Sequence, residues 1–422
     1  MHITSFADAA AALTKFMPEN VSRGKAYSLD YVVQLLEYLG NPQDTYKTIH
    51  IAGTSGKTST AYYTAALLKE AGYRVGLTVS PHTVEMNDRV QVDGQPLPEA
   101  LFCQELESFL DVVSQSNIEP TYFELMVAFA FWEFTRQNVS VAVVEVGLGG
   151  LLDATNTITR HDKICVITDI GFDHTRVLGN TLPEIAAQKA GIIQLQNTVY
   201  MYQQSEEIME AIRARSQQKQ ADIHVLTPKE TEAPAFLPLF QQRNFGLAKA
   251  VAADFIRKDA KQSLTDEQVQ AAAHIVIPGR METFTYKGKT IILDGAHNGQ
   301  KITALITSLR AREMGKTAFL LGFIDTQESK NRVGDIVTAA SSLASRMMIT
   351  EFGNEKDHPR KSVRADDIAH NMAKANLPLP EVVHDPIKAM QRLLDSDVDT
   401  IVVAGSLYLL NHIRPFVIAL PT

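Results

Sequence analysis

Two cysteines, Cys103 and Cys165, are all that the 422 residues contain. They are too few for a disulfide framework and stand at no metal-site spacing, so a reducing compartment is expected. Positive charge is not in excess either. Forty Lys and Arg stand against 48 Asp and Glu, a net charge of −8, which argues against nucleic acid as the main partner. Long uncharged apolar runs are missing too. The most apolar stretch, "YFELMVAFAFWEF", is short for a membrane span and carries Glu124 and Glu133. The N-terminal "MHITSFADAAAALTKF" has no basic opening and holds Asp8, so it does not read as a signal peptide. There is no internal repeat and no low-complexity tract. These absences point to a soluble cytoplasmic protein without membrane or nucleic-acid partners.

One further absence lies inside "IHIAGTSGKTSTAYYTAALLKEAG", residues 49–72. The common phosphate-binding loop reads G-x-x-x-x-G-K-[ST]. Counted back from Gly56-Lys57-Thr58, its first glycine would fall at position 51, where Ile51 stands. The chain offers the shorter Gly53-Thr54-Ser55-Gly56-Lys57-Thr58 instead, followed by Ser59.

What is present is length and alternation. With 45% hydrophobic residues the chain buries a large core and is long for one domain, so two are expected. "TIHIAG", "RVGLTVS", "VAVVEV" and "KICVITDI" are short apolar runs suited to buried parallel strands, with helical stretches between most of them. The pattern resumes in "TIILD", "TAFLLGF", "RMMITEF", "EVVHD" and "TIVVAGS". Between the halves, "HIVIPGRMETFTYKGK" reads as a turn-rich connector at 274–289. The fold class is α/β: a P-loop-containing N-terminal domain with a parallel-rich sheet, 1–277, and a smaller Rossmann-like C-terminal domain, 278–422.

The short loop leaves a strand and opens a helix, where backbone amides and the helix dipole collect phosphate. Gly53 and Gly56 permit close backbone approach, Lys57 reaches terminal phosphates, and the Thr58 and Ser59 hydroxyls face phosphate or metal. A plain glycine-rich turn with an exposed lysine is the alternative. Other candidates fall at strand ends, where open α/β sheets bind ligands. They are Ser80 after "LTVS", Glu145 in "VAVVEVGLGGLLDATN", and Asp173 with His174 in "ITDIGFDHTRVLG". Together they suit one or two magnesium ions beside phosphates. Singly, Glu145 reads equally as a surface carboxylate, His174 as a capped loop histidine and Ser80 as an N-cap.

The motifs "GTSGKTS", "SPH....NDRVQVDG", "EVGLGGLLDATN", "DHTRVLGNTLPEIAAQKAGI", "PGRMETF", "ILDGAHN" and "VVAGSLYLL" occur in an order that resembles the folylpolyglutamate synthase/dihydrofolate synthase family. That family belongs to the Mur ligase superfamily, whose P-loop has the short GTxGK[TS] form. The resemblance implies an ATP-dependent amide ligase. ATP phosphorylates a carboxylate of a reduced folate or dihydropteroate, and the amine of L-glutamate displaces phosphate. It implies ATP held by Gly53, Thr54, Ser55, Gly56, Lys57, Thr58 and Ser59, with Asn244 near adenine, Arg280 on the phosphates and Asp294 on the nucleotide. Ser80, Glu145 and His174 match magnesium ligands, two ions being expected. His297 is expected near the reacting groups, and the pterin near Thr121, Tyr122, Phe123 and Glu124 and near Leu152, Asp153 and Ala154. Taken without the resemblance, Arg280 reads as a turn arginine, Asn244 as a helix N-cap, and His297 equally as a capping or a functional residue. Lys189 lies on an apolar helix where a free ammonium is costly to bury. It matches the family's carbamylated lysine and is expected to be catalytic with Lys57 and His297. A monomer is expected.

The chain departs from the family pattern at four places. Leu151 replaces an arginine after "GLGG", and Gln188 replaces the glutamate before Lys189. "GFIDTQESKN" replaces a "DKD" pattern, weakening a role for Asp325, and "VSRGKAYSLDY" matches the pterin-contacting segment poorly. Rival readings share the ATP machinery. Another Mur-type amino-acid ligase, acting on peptidoglycan precursors, would carry a UDP-binding domain ahead of "TIHIAG". A P-loop small-molecule kinase would not respond to glutamate, and a nucleotide-dependent regulatory protein would form no amide.

Overall fold

Strands form where the apolar runs predict them. The structure is a computed structural model and describes residues 2–17, 28–82, 85–354 and 360–421. Positions 21–27 of "VSRGKAYSLDY" and residues 83–84, within "SPH....NDRVQVDG", lie outside these. The chain divides into two units, Met1–Leu237 with Gln241–Ile275, and Pro238–Phe240 with Val276–Thr422.

The first unit is built on one eight-stranded sheet. Its strands are β1 (Lys47–Ala52), β2 (Val75–Thr78), β3 (Gln91–Val92), β4 (Gln95–Pro96), β5 (Val141–Glu145), β6 (Ile164–Ile167), β7 (Thr198–Tyr202) and β8 (Asp222–Leu226), in the order β4-β3-β2-β5-β1-β6-β7-β8. From β2 to β8 across the sheet the pairings are parallel, and β3 and β4 extend the edge as an antiparallel pair. Every residue of β5 and β6 is buried. Strands covered on both faces have no solvent side, so they read as unbroken apolar runs. One apolar cluster gathers Phe102, Phe109, Phe129 and Phe131 from the helices Glu99–Ser114 and Tyr122–Arg136. A second packs Ile185, Ile208 and Met209 against Cys165, Ile167 and Val199. The chain crosses from β5 over β1 to β6, so the loops after these three strands open at the sheet's switch point, where such sheets bind ligands. Among the described residues no helix is long and apolar enough to cross a membrane.

Glu133 is the misfit in the first cluster. Its side chain is fully buried, Gln137 Nε2 donates to Oε1 at 2.7 Å, and Oε2 has no hydrogen-bond partner among the described residues. Arg136 Nε stays 3.9 Å away and serves Glu105 instead, at 2.7 Å. Burial pushes the Glu133 carboxyl up to about 7 from its ordinary 4.5. The folded pKa lies above the unfolded one, so stability is full below the unfolded value and is lost as pH rises through the folded one. Glu133→Gln imitates the protonated form. It should stabilise the protein by about 1–3 kcal/mol near pH 8 and leave stability unchanged near pH 4.5. Urea unfolding at both pH values checks this, and equal stability near pH 8 would contradict it.

The second unit holds a six-stranded sheet, again mostly parallel. With β13 (Gly353–Asn354) and β14 (Arg360–Lys361) paired separately, its strands are β9 (Glu282–Tyr286), β10 (Lys289–Leu293), β11 (Thr317–Leu321), β12 (Ala344–Ile349), β15 (Glu381–Val382) and β16 (Thr400–Ala404). They run in the order β15-β12-β11-β16-β10-β9. Here the connector reading needs correction. Residues 282–286 are the edge strand β9, hairpinned antiparallel to β10. Lys287 and Gly288 both have positive φ, 47° and 78°. That is the two-residue turn whose twist matches a hairpin. The alternation in "METFTY" was the signal, masked by the neighbouring Pro-Gly.

Candidate active site

The loop between β1 and the helix Lys57–Glu70 is shaped by its glycines. Gly53 has φ 151°, and a Cβ there would come 1.8 Å from Thr168 Oγ1. Gly56 has φ 90°, and its Cβ would come 2.4 Å from Asn244 Oδ1. Only glycine tolerates both the conformations and the crowding. Lys57 opens the helix and its Nζ donates to Gly53 O at 3.1 Å; buried Lys189 donates to the same oxygen at 2.8 Å. Two lysine nitrogens therefore converge on the loop that opens a helix, whose N-terminal amides and dipole attract anions. Thr54 and Ser55 turn their amides the other way, to Asp169 O at 2.8 and 3.2 Å. Ser59 is buried.

Thr58 points to the adjoining strand end. Its Oγ1 donates to Glu145 Oε1 at 2.9 Å, and Ser80 N approaches Glu145 Oε2 at 3.3 Å. Among the described residues Ser80 Oγ is buried with no hydrogen-bond partner, a state that costs free energy. A buried orphan hydroxyl beside a buried carboxylate is an all-oxygen donor set of the kind Mg2+ takes, so these residues fit that ion. His174 lies in the loop after β6, exposed and left-handed at φ 50°, just before the short helix Thr175–Leu178. Asp173 beside it is buried.

Lys189 is held in place by the loop after β5. A Cβ at Gly150 would come 2.8 Å from Gln188 O and 3.0 Å from Lys189 O, and Leu151 N donates to Gln188 O at 2.8 Å. The paired glycines thus let the loop lie directly on the helix Leu182–Ala190. Buried Asp153 shapes the same loop by accepting from Leu148 N at 2.7 Å and from Thr155 N and Oγ1 at 3.0 and 2.5 Å. Thr155 Oγ1 also meets His50 Nε2 at 2.8 Å. Since that hydroxyl's proton goes to Asp153, His50 Nε2 is the donor, and Nδ1, unpartnered among the described residues, carries none. Burial, with the Lys163 cation second, holds His50 well below the ordinary imidazole range. A neutral histidine in β1 therefore braces the loop after β5. Ala154 is buried, whereas Leu151 and Leu152 are exposed.

A small cleft opens beside Glu145, lined by Ser80, Arg89, Phe123, Met126 and Thr155. Phe123 faces it from the first turn of Tyr122–Arg136. Thr121 and Glu124 serve that helix's start, the carboxylate accepting from Thr121 N and Oγ1 at 2.7 and 2.8 Å. Arg89 was not singled out from the sequence, nor was His82. Both are buried; Arg89 Nε donates to His82 Nδ1 at 3.2 Å, and the guanidinium stands 5.5 Å from the Tyr122 ring centroid. Their motif, "SPH....NDRVQVDG", was visible, but nothing local announces that an arginine in it is buried.

In the second unit, Asp294 follows β10. Its carboxylate accepts from Met281 N and Ala296 N, both at 2.8 Å. Burial raises its pKa to about 6, against the opposing Arg280 cation. Arg280 Nη1 donates to Gly279 O at 3.1 Å, and a Cβ at Gly295 would come 2.8 Å from that nitrogen. His297 Nδ1 donates to Gly295 O at 2.7 Å, so Nε2 is the acceptor for Lys301 Nζ at 3.0 Å. Asp325 is ion-paired to Lys330 at 2.6 Å.

A parallel α/β sheet with a glycine-rich loop opening a helix at its switch point defines a P-loop nucleotide-binding protein. Residues 51–281 match the Mur ligase middle domain, and residues 279–407 match the Mur ligase glutamate ligase domain. The chain belongs to the Mur ligase family and is an ATP-dependent ligase joining an acid to an amino acid. It is similar to the dihydrofolate synthase/folylpolyglutamate synthase of Mycobacterium tuberculosis, 31% identical over 374 residues, 78% of this chain and 75% of that protein. It is likewise similar to dihydrofolate synthetase of Saccharomyces cerevisiae, 28% identical over 417 residues, 91% and 96% of the two chains. Among solved structures, Mycobacterium tuberculosis folylpolyglutamate synthase complexed with ADP superposes with a TM-score of 0.83 at 26% identity, covering 99% of each chain.

Proposed function

We propose that this protein adds L-glutamate to a reduced folate, to dihydropteroate, or to both, through an acyl phosphate made with ATP. The observation that carries the reading is the meeting of Lys57 and Lys189 on Gly53 O, beside the Thr58–Glu145–Ser80 cluster and the Arg89 cleft. The names of the relatives supply the substrate class. A carboxylate resists an amine because it is anionic and has a poor leaving group, and phosphorylation removes both obstacles. Phosphoryl transfer asks mainly for positioning and charge stabilisation.

The chain's own groups meet that demand. Lys57 and the amides opening its helix hold the terminal phosphates, and Asn244 and Arg280 are assigned to the adenine and phosphate ends. Phe123 and Arg89 orient the acid in the cleft, the guanidinium being fixed by His82 and Tyr122. Ser80, Glu145 and His174 would hold Mg2+, which when bound neutralises phosphate charge. A carbamate on Lys189 would add an anionic ligand for a second ion. The family match assigns Asp294 to the nucleotide and His297 to the neighbourhood of the reacting groups, with Lys301 Nζ meeting its Nε2 at 3.0 Å. The buried free cysteines suit a reducing compartment, and a cytoplasmic monomer belongs to the same reading.

The test is a trapping experiment with ATP and folate but no glutamate. Hydroxylamine should then give the folate hydroxamate. Oxygen-18 placed in the folate carboxylate should appear in phosphate once glutamate is added. Label remaining wholly in the amide product would contradict an acyl phosphate. Phosphate release that ignores both folate and glutamate would remove the ligase assignment to these substrates.

A further inference from the structure

The front of the phosphate loop is bound to protein. Thr54 N and Ser55 N donate to Asp169 O, and Thr54 Oγ1 exchanges hydrogen bonds with Gly171, donating to its O at 3.0 Å and accepting from its N at 3.1 Å. Asp169 also reaches a third element with its side chain. Arg243 Nε donates to Oδ2 at 2.8 Å and Nη2 to Oδ1 at 2.6 Å, a two-pronged fork. The guanidinium lies 3.9 Å from the ring centroid of Tyr202, whose hydroxyl donates to Arg243 O at 2.8 Å. Asn244 comes next. Its Oδ1 crowds Gly56, its Nδ2 donates to Gln241 Oε1 at 3.3 Å, and Phe245 stacks edge-on against Tyr63 of the loop's own helix.

We propose that Arg243 and Asp169 are a positioning pair that sets the distance from the phosphate loop to Asn244, and so decides which nucleobase binds productively. The inference rests on the reading of Asn244 as the group beside adenine. Base and phosphates of one nucleotide have a limited span, so a side chain reading the base must sit at a set distance from the loop holding the phosphates. A planar guanidinium fork locked on a carboxylate and stacked on a ring is a stiff spacer, where a lysine would be a loose one. The pair is partly exposed, 41% and 29% at the two side chains. Partly exposed ion pairs add little to stability, so its loss removes geometry and leaves the fold.

The test compares Arg243→Ala, Arg243→Lys, Asp169→Ala and the Arg243→Ala/Asp169→Ala double variant in ATP- and GTP-driven ligation. In the alanine variants KM for ATP should rise roughly tenfold while kcat falls much less, and the ATP-over-GTP preference in kcat/KM should shrink by a similar factor. Arg243→Lys should lie between, and the double variant should be no worse than either single one. Melting should stay near wild type. Should Arg243→Ala melt early, Arg243→Lys carries the same comparison. Unchanged KM and base preference, or additive losses in the double variant, would overturn the proposal. A wild type that turns over without nucleotide would instead remove the ATP reading, and the proposal with it.

Discussion

Lys57→Ala should lower ligation by roughly three orders of magnitude while leaving the fold intact. The side chain is part-buried and, among the described residues, its hydrogen bond goes to Gly53 O, which keeps its contact with Lys189. Nothing structural is therefore orphaned by removing it. What disappears is a cation at the N-terminus of the helix Lys57–Glu70, where a migrating phosphoryl group gathers charge on its oxygens. That charge is larger in the transition state than in bound ATP, so kcat should fall more than nucleotide affinity. Lys57→Arg should recover little, because a planar fork does not replace a compact ammonium in a tight loop. Single-turnover phosphate release and ADP binding separate the two effects. Near-normal ligation in Lys57→Ala would show that the loop does not hold the reacting phosphates.

Much of the fold was legible because its signals are local. β5 and β6 are buried on both faces and read as apolar runs, and Gly53 and Gly56 mark a strand-to-helix turn whatever surrounds it. The edge strand β9 was missed because a Pro-Gly beside it outweighed a short alternation. At the site, the sequence located strand ends but not partners. That Thr58 and Ser80 would both meet Glu145, or that His50 would brace Asp153 through Thr155, depends on contacts between residues far apart in the chain. The same holds for Arg89 and His82. A buried arginine looks like any other until its neighbours are known. Family resemblance supplied Lys189, whose surroundings local pattern describes only as an apolar helix.

That lysine carries the remaining prediction. Lys189 is buried, at 3% exposure, and its Nζ donates to Gly53 O at 2.8 Å. An ammonium taken out of water is costly, and the free amine is the form that attacks CO2. The amine nitrogen bonds to the carbon and a proton leaves, giving an N-carboxylate that still has one N–H for Gly53 O. We propose that this carbamate is the active form, its oxygens supplying a hard anionic ligand beside the phosphates. Gln188 in place of a glutamate leaves one fewer neighbouring anion to hold Lys189 protonated. Lys189→Ala should then lose activity by roughly a hundredfold or more, and added formate or acetate should restore part of it, since a small carboxylate can occupy the vacated space. The opposite role gives the opposite rescue. If Lys189 acts as an ammonium on the phosphates, small alkylamines should restore activity and carboxylates should not. Carbon-13 NMR of the wild type in labelled bicarbonate should show one protein-bound carbamate signal that disappears in Lys189→Ala. A fully active, bicarbonate-supplied enzyme without that signal would rule the modification out.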